Sequence, residues 1–223
     1  MTAEEIKRWI MDIGIVPIVR AASAEQALRA TEAVVKGGVT IVEITMTVPG
    51  AISLIARLAK TMSPDLLIGA GTVMDAGVAR QCIEAGAEFV VSPGFDLPTV
   101  EFTNSAGKLM IAGAFTPTEV IAAWKAGSGF VKIFPCGTVG GAKYIQVLKA
   151  PLPEIRMIPT GGVSLNTAAD FIRAGADALG VGGEMISRAA LDSGHTAVIS
   201  KAARDFLEIV RETRRSVRPS ALV

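Results

Sequence analysis

Aromatic residues are scarce in this chain, at 5% of 223 residues, while half of all residues are hydrophobic. Small aliphatic side chains must therefore fill a large core. Cysteine is almost absent. Cys82 and Cys136 stand far apart with no metal-ligand spacing, which fits a protein without a disulfide framework in a reducing, cytoplasmic setting. The only histidine, His195, lies in a late segment and is expected at the surface. Neither sign of charge dominates: 22 basic against 21 acidic residues leave a net charge of +1. That balance gives no electrostatic footprint for nucleic acid or an anionic membrane. No apolar run approaches the ~18 residues of a membrane span, and the N-terminus is acidic and amphipathic rather than signal-like. Without a linker or low-complexity stretch, residues 1–223 read as one domain, with a leading helix in 1–14 and a frayed tail over about 215–223.

What is present is alternation. Thr2-Ala-Glu-Glu5 has the capping-box pattern, and Ile6, Trp9, Ile10 and Ile13 follow at helical spacing. Ile15–Arg20 reads as a first strand, and Ser23 and Gln26 cap the helix that runs to Gly37-Gly38. From there a helix ending in glycine, a short turn and a buried strand recur, with the glycines at 38, 86, 127 and 175. The intervals of 48, 41 and 48 each hold two strand–helix units. The strands are Ile41–Thr45, Leu66–Ala70, Glu88–Ser92, Leu109–Gly113, Phe130–Phe134, Ile155–Thr160 and Ala178–Gly182, giving eight with the first. Eight buried strands alternating with amphipathic helices predict an α/β fold, a closed (β/α)8 TIM barrel with a short N-terminal helix. An open doubly wound sheet is the alternative, and the even repeat argues against its topological switch. Thr116-Pro-Thr-Glu119 starts the fifth strand's helix, and Ser164 and Asn166 stand where the seventh should start.

One stretch carries chemistry, Gly129-Phe-Val-Lys-Ile-Phe-Pro135, a buried strand with Lys132 at its middle. A buried ammonium is costly, so such a lysine tends to lose its proton, and the neutral amine attacks ketones. A snorkelling lysine or a structural ion pair would look the same. Glu43 sits likewise in an apolar strand, and alternation puts Glu43 with Thr45, and Lys132 with Phe130 and Phe134. If both faces point inward, an amine and a carboxylate meet inside the barrel, with Arg20 at the end of the first strand. Lysine, carboxylate base and anion site are what imine chemistry on a 2-keto acid needs. Thr160-Gly161-Gly162 and Gly180-Val-Gly182-Gly183 end the last two strands. Glycines there let backbone N–H groups approach an anion, and barrels of this kind often hold phosphate at those loops; tight turns alone would also explain them.

The sequence resembles the class I 2-keto-3-deoxy-6-phosphogluconate aldolases, which include the bifunctional 4-hydroxy-2-oxoglutarate aldolases. The resemblance runs from about Ile15 to Glu208. It is carried by Gly37-Gly-Val39, Val42-Glu-Ile-Thr-Met-Thr-Val-Pro49, Ile68-Gly-Ala-Gly-Thr72, Val91-Ser-Pro-Gly94, Thr116-Pro-Thr-Glu119, Val131-Lys-Ile-Phe-Pro135 and Ile158-Pro-Thr-Gly-Gly-Val163. It implies that Lys132 is the Schiff-base lysine, Glu43 the general acid/base, and Thr72, Pro93 and Phe134 part of the pyruvate site. Many members have an arginine four residues after the glutamate, where this chain has Thr47. Others share its Thr-Val-Pro variant with an arginine closing the first strand, so the substrate carboxylate is assigned to Arg20 and Thr47. Thr160, Gly161, Gly162, Gly182 and Gly183 are assigned to phosphate. Some members have a serine after the last glycines; here Glu184 either begins the final helix and faces solvent or marks an unphosphorylated substrate. Thr160 resembles the gluconate and hydroxyoxoglutarate type rather than the phosphogalactonate type.

The resemblance implies a retro-aldol lyase that releases pyruvate, with no metal and no other cofactor because the imine itself accepts the electrons. It implies a small 2-keto acid as partner and a homotrimer. Three other readings stay open: a phosphogalactonate-type aldolase, an isomerase or synthase on the same barrel with Lys132 acting only as a charge, and a non-catalytic sugar-acid-phosphate binding protein.

Overall fold

A computed structural model describes residues 1–62 and 64–217. In chain order the elements are α1 (Ala3–Ile13), β1 (Ile15–Val19), α2 (Ala24–Lys36), β2 (Ile41–Thr45), α3 (Ala51–Met62), β3 (Leu67–Gly71), α4 (Ala76–Glu84), β4 (Phe89–Val91), α5 (Leu97–Ser105), β5 (Leu109–Ala114), α6 (Pro117–Lys125), β6 (Phe130–Ile133), a 3-10 turn (Cys136–Val139), α7 (Ala142–Lys149), β7 (Met157–Pro159), α8 (Ala168–Arg173), β8 (Leu179–Val181), α9 (Arg188–Ser193) and α10 (Ala197–Val217). All strand pairs are parallel and follow chain order from β1 to β7, with β8 beside β1. A bridge between Thr160 and Gly180 joins β7 to β8, so the ring is a (β/α)8 barrel and not an open doubly wound sheet.

Local chemistry explains the starts and stops. Thr2 and Glu5 form the capping box of α1, and Thr116 and Glu119 that of α6. Ser23, Asp75, Asp96 and Ser187 each accept a backbone N–H at the start of α2, α4, α5 and α9. The recurring glycines 38, 86, 127 and 175 all have φ between 91° and 106°. That region disfavours a side chain, which is why the helix-to-strand turn repeats the same residue.

Several boundaries differ from expectation. Ser164 and Asn166 do not begin the seventh strand's helix. Ser164 opens a turn in which its N–H donates to the Thr167 hydroxyl, and α8 starts at Ala168. Glu184 begins no helix; it is exposed in a turn closed by Met185 and Ile186 N–H groups donating to the Gly182 carbonyl. Arg215 to Val217 belong to α10, and the rest of the expected tail lies outside the described residues. β1 stops at Val19, so Arg20 stands just beyond it. His195 is exposed, as expected.

Two apolar clusters lie on the two sides of the sheet. The outer one packs the helices against the strands. The inner one fills the N-terminal half of the barrel with Val16, Ile41, Leu67, Phe89, Leu109 and Phe130. Ile6 and Ile10 of α1, both fully buried, plug that end. Trp9 Nε1 donates to the Thr40 hydroxyl (2.9 Å), and Arg214 of α10 donates to the carbonyls of Met11 and Asp177. Chemistry is thereby left to the other end.

Candidate active site

Two residues beyond Ile41 on β2 is Glu43, and two beyond Phe130 on β6 is Lys132. Strand alternation therefore carries both inward, above the apolar layer. In register Glu43 faces Ile18 and Gly69, and Lys132 faces Gly113 and Ile158. Lys132 Nζ lies 3.9 Å from Glu43 Oε1, with both side chains at most 4% exposed. That separation is an ion-pair distance and too long for a hydrogen bond. Glu43 Oε1 is buried with no hydrogen-bond partner among the described residues. An orphaned buried oxygen aimed at an amine is costly in a resting protein, and such oxygens concentrate where a ligand completes them.

The space between them exists because of glycines. A Cβ on Gly71 would lie 1.9 Å from Glu43 Oε1, and one on Gly180 2.2 Å from Thr160 Oγ1. One on Gly113 would meet the Pro93 carbonyl carbon at 2.2 Å, and one on Gly69 the Phe89 ring at 2.2 Å. The remaining gap, bounded by Glu43, Lys132, Val91, Ile111, Ile158 and Thr160, has room for about one water molecule. Burial pushes the Glu43 carboxyl above its ordinary range, and the charges of Lys132 and Arg20 pull it part of the way back. Cys136, just beyond β6, does not compete as a nucleophile: burial pushes its thiol up to about 12.

The other expected residues stand at the C-terminal ends of the strands and in the loops that follow. The Phe134 ring lies 5.4 Å from Lys132 Nζ. Thr72 follows β3 at φ 58°, which makes it the sole non-glycine residue with positive φ among those described. A β-branched residue resists that conformation, and such strain gathers at functional sites. Pro93 is held by its neighbour: Ser92 Oγ donates to the Gly94 carbonyl (2.6 Å) and accepts from Gly113 N–H (3.3 Å). Thr160 is buried on the closing bridge, while Gly161 and Gly162, at φ 85° and 80°, carry the chain over the 3-10 turn. Cys136 and Gly137 N–H groups donate to the Thr160 and Gly161 carbonyls there, at 2.9 Å each.

Arg20, Thr47 and Gly183 come together in a separate cavity beside the pair, while Gly182 lies behind Arg20. The Thr45 hydroxyl donates to the Val19 carbonyl (3.0 Å), so the proton in its 2.7 Å contact with Thr47 comes from Thr47. Sequence reasoning missed Gly71 and Gly113 as makers of space, although Gly71 lies in a quoted motif. It also missed Gln26, Arg188 and Asp192, which line the Arg20 cavity and have no signal in the chain order.

Known proteins share the sequence and the fold over most of the chain. The chain matches the family described as KDPG and KHG aldolase over residues 6–202. It is 34% identical over 202 residues to the 2-dehydro-3-deoxy-phosphogluconate aldolase of Pseudomonas aeruginosa, covering 90% of this chain and 91% of that one. The KHG/KDPG aldolase of Escherichia coli K12 is 32% identical over 87% of this chain and 91% of its own. Among solved structures, a KDPG aldolase from Legionella pneumophila with pyruvate captured as a covalent carbinolamine superposes with a TM-score of 0.82 at 25% identity, over 89% of this chain and 96% of that one. Barrel, inward lysine and matched length converge on one conclusion: this chain belongs to the KDPG and KHG aldolase family of carbon–carbon lyases.

Proposed function

We propose that the protein is a class I aldolase that cleaves 2-dehydro-3-deoxy-6-phosphogluconate to pyruvate and glyceraldehyde 3-phosphate, and 4-hydroxy-2-oxoglutarate to pyruvate and glyoxylate. The observation that carries this is the Lys132 amine facing an unpartnered Glu43 oxygen across 3.9 Å of a buried, otherwise apolar barrel. Lys132, as its free base, attacks the ketone carbon of the 2-keto acid. The Glu43 carboxylic acid protonates the departing hydroxyl, which leaves as water and gives a protonated imine and the Glu43 carboxylate. The Glu43 carboxylate takes the proton from the hydroxyl on the fourth carbon, and the bond between carbons three and four breaks. Its electron pair runs into the imine to make an enamine, and the aldehyde departs. The Glu43 carboxylic acid then protonates the third carbon, and water hydrolyses the imine to release pyruvate and Lys132. A carboxyl that is base and then acid works best near the operating pH, and burial shifts Glu43 in that direction.

Around this core Arg20 supplies the cation for the substrate carboxylate, and Thr47 turns its hydroxyl proton from Thr45 towards it. Thr72 positions the pyruvate moiety, and Pro93 and Phe134 wall it in. Thr160, Gly161, Gly162, Gly182 and Gly183 line the path of the phosphate; exposed Glu184 can turn to solvent away from it. The reaction needs no cofactor, and we propose a cytoplasmic homotrimer as the working form.

The test is covalent trapping. The protein is incubated with pyruvate, reduced with borohydride and mapped by mass spectrometry. An adduct on Lys132, absent in Lys132→Ala, is the expected result. No adduct on folded protein in excess pyruvate overturns the proposal and returns Lys132 to an electrostatic role, as in a synthase or binding protein on the same barrel.

A further inference from the structure

The cations at the mouth are few. Among the loops that follow the eight strands, Arg20 is the only basic residue. The first turns of the helices those loops enter add Lys143 and Arg188. Only Arg188 shares a cavity with Arg20. That cavity, about 360 Å³, opens between the loops after β1, β2 and β8, with Thr47 and Gly183 on its wall. Its volume is on the scale of a small-molecule site.

Arg188 is weakly engaged. Its nearest carboxylate, Asp192 one turn on, is 3.8 Å away, with the arginine 88% exposed. Such an exposed pair is weak and screened by solvent, so the guanidinium is free to be recruited. Asp192 has a second task. Its Oδ1 accepts from Gln26 Nε2 (3.2 Å), and Gln26 Oε1 accepts from Ala22 N–H (3.1 Å), which pins α9 to the loop after β1 and builds the cavity wall. With Arg20, Arg188 and Asp192 on the lining, its net charge is positive by one.

We infer that Arg188 is a specificity-determining residue: it reads a second, distal negative charge on the substrate, a phosphate or a carboxylate, across the cavity from Arg20. The inference rests on the aldolase reading for the identity of the substrate and goes beyond it in naming the residue and the charge class. Asp192 opposes the distal charge, so the two residues must act with opposite sign. Glu184 is exposed at the rim and is screened by solvent.

The experiment compares two five-carbon keto acids of equal length, 2-oxoglutarate with a distal carboxylate and 2-oxopentanoate without one. Calorimetric affinities are measured for the wild type, Arg188→Gln and Asp192→Asn, with melting temperature as the check on folding. The wild type prefers 2-oxoglutarate. In R188Q the preference falls about tenfold to a hundredfold, the scale of one charge-assisted hydrogen bond. In D192N, where the Gln26 contact survives, it rises. Turnover of the six-carbon acid with and without its phosphate, and of 4-hydroxy-2-oxoglutarate, then tells phosphate from carboxylate: R188Q lowers kcat/KM for the one that Arg188 reads. No preference in the wild type, or one unchanged in R188Q, overturns the inference. Failure of the aldolase reading is a different result, the absence of a pyruvate adduct, and leaves the affinity comparison intact.

Discussion

The lower and upper halves of the barrel interior are built by the same strands and differ by a step of two residues. Below are Ile41, Leu67, Phe89, Leu109 and Phe130, closed off by Ile6 and Ile10. One step up, Ile41 gives way to Glu43, Phe130 to Lys132 and Ala178 to Gly180, and two steps up on β3 and β5 Leu67 and Leu109 give way to Gly71 and Gly113. The lower layer is filled and dry. The upper layer holds a carboxylate, an amine and the space made by missing side chains. Large-to-small changes loosen the lower layer, and small-to-large changes choke the upper one. The upper layer carries an uncompensated polar atom that the lower layer must stabilise.

Erasing the difference is the strongest test. In Lys132→Met/Glu43→Leu the upper layer becomes as apolar as the lower one. Turnover is expected to fall by about four orders of magnitude or more, the scale of losing a covalent nucleophile. Stability, read by denaturant titration, is expected to rise by about 1–4 kcal/mol, because two buried ionisable groups give way to hydrocarbon. A double variant that is inactive and less stable would mean the pair holds the barrel together.

Phe89→Ala attacks the other layer. It leaves a void under Gly69 and is expected to cost about 3–5 kcal/mol of stability. Pyruvate adduct formation on the folded fraction should persist, as seen by trapping after a mild incubation.

Gly71→Ala adds one methyl at the boundary. Its Cβ would stand 1.9 Å from Glu43 Oε1, so the carboxyl must move by about an ångström. An activity loss of about a hundredfold in kcat is expected for such a misplacement, with a smaller stability cost of about 1–3 kcal/mol. Equal loss from Gly77→Ala, at an exposed position of α4, would show that any glycine change does the same.

The smallest effect is a pH dependence. Glu43 binds its proton more tightly in the folded barrel than in the unfolded chain, because burial raises its pKa from 4.5. Its contribution to stability is full below about pH 4.5 and is lost as pH rises through the folded-state pKa. Wild-type stability relative to Glu43→Gln should therefore fall as pH rises from about 4.5 towards the folded-state pKa, by at most about 1.4 kcal/mol per unit, and level off above it. A difference that is flat, or that grows with pH, would contradict the burial of this carboxyl.

Much of this contrast can be read in the chain. Turn glycines at 38, 86, 127 and 175 give the repeat, and a charged residue within an apolar strand marks both Lys132 and Glu43. The phase of each strand is harder. When both faces are buried, alternation of polarity disappears, and only a charged residue or a glycine betrays which side is inward. Gly69 and Gly71 carried that signal, but their meaning depends on Phe89 and Glu43 standing opposite, a relation of register rather than of sequence. Loop geometry is more distant still. Ser164 and Asn166 are good capping residues, yet the turn that Thr167 closes delays the helix to Ala168. Arg188 lies 168 residues from Arg20, and the cavity they share is set by how α9 folds back over the loop after β1.

Both described ends of the chain gather at the plugged pole. The Met1 ammonium lies 3.7 Å from Glu88, just before β4, and Arg214 reaches under the barrel from the last turn of α10. The proposed substrate site opens at the opposite pole. A surface tether, an affinity handle or a fused neighbour attached near Met1 would hang from the floor and leave the doorway clear. Evolution and the bench can thus extend the protein at its base without negotiating with its chemistry.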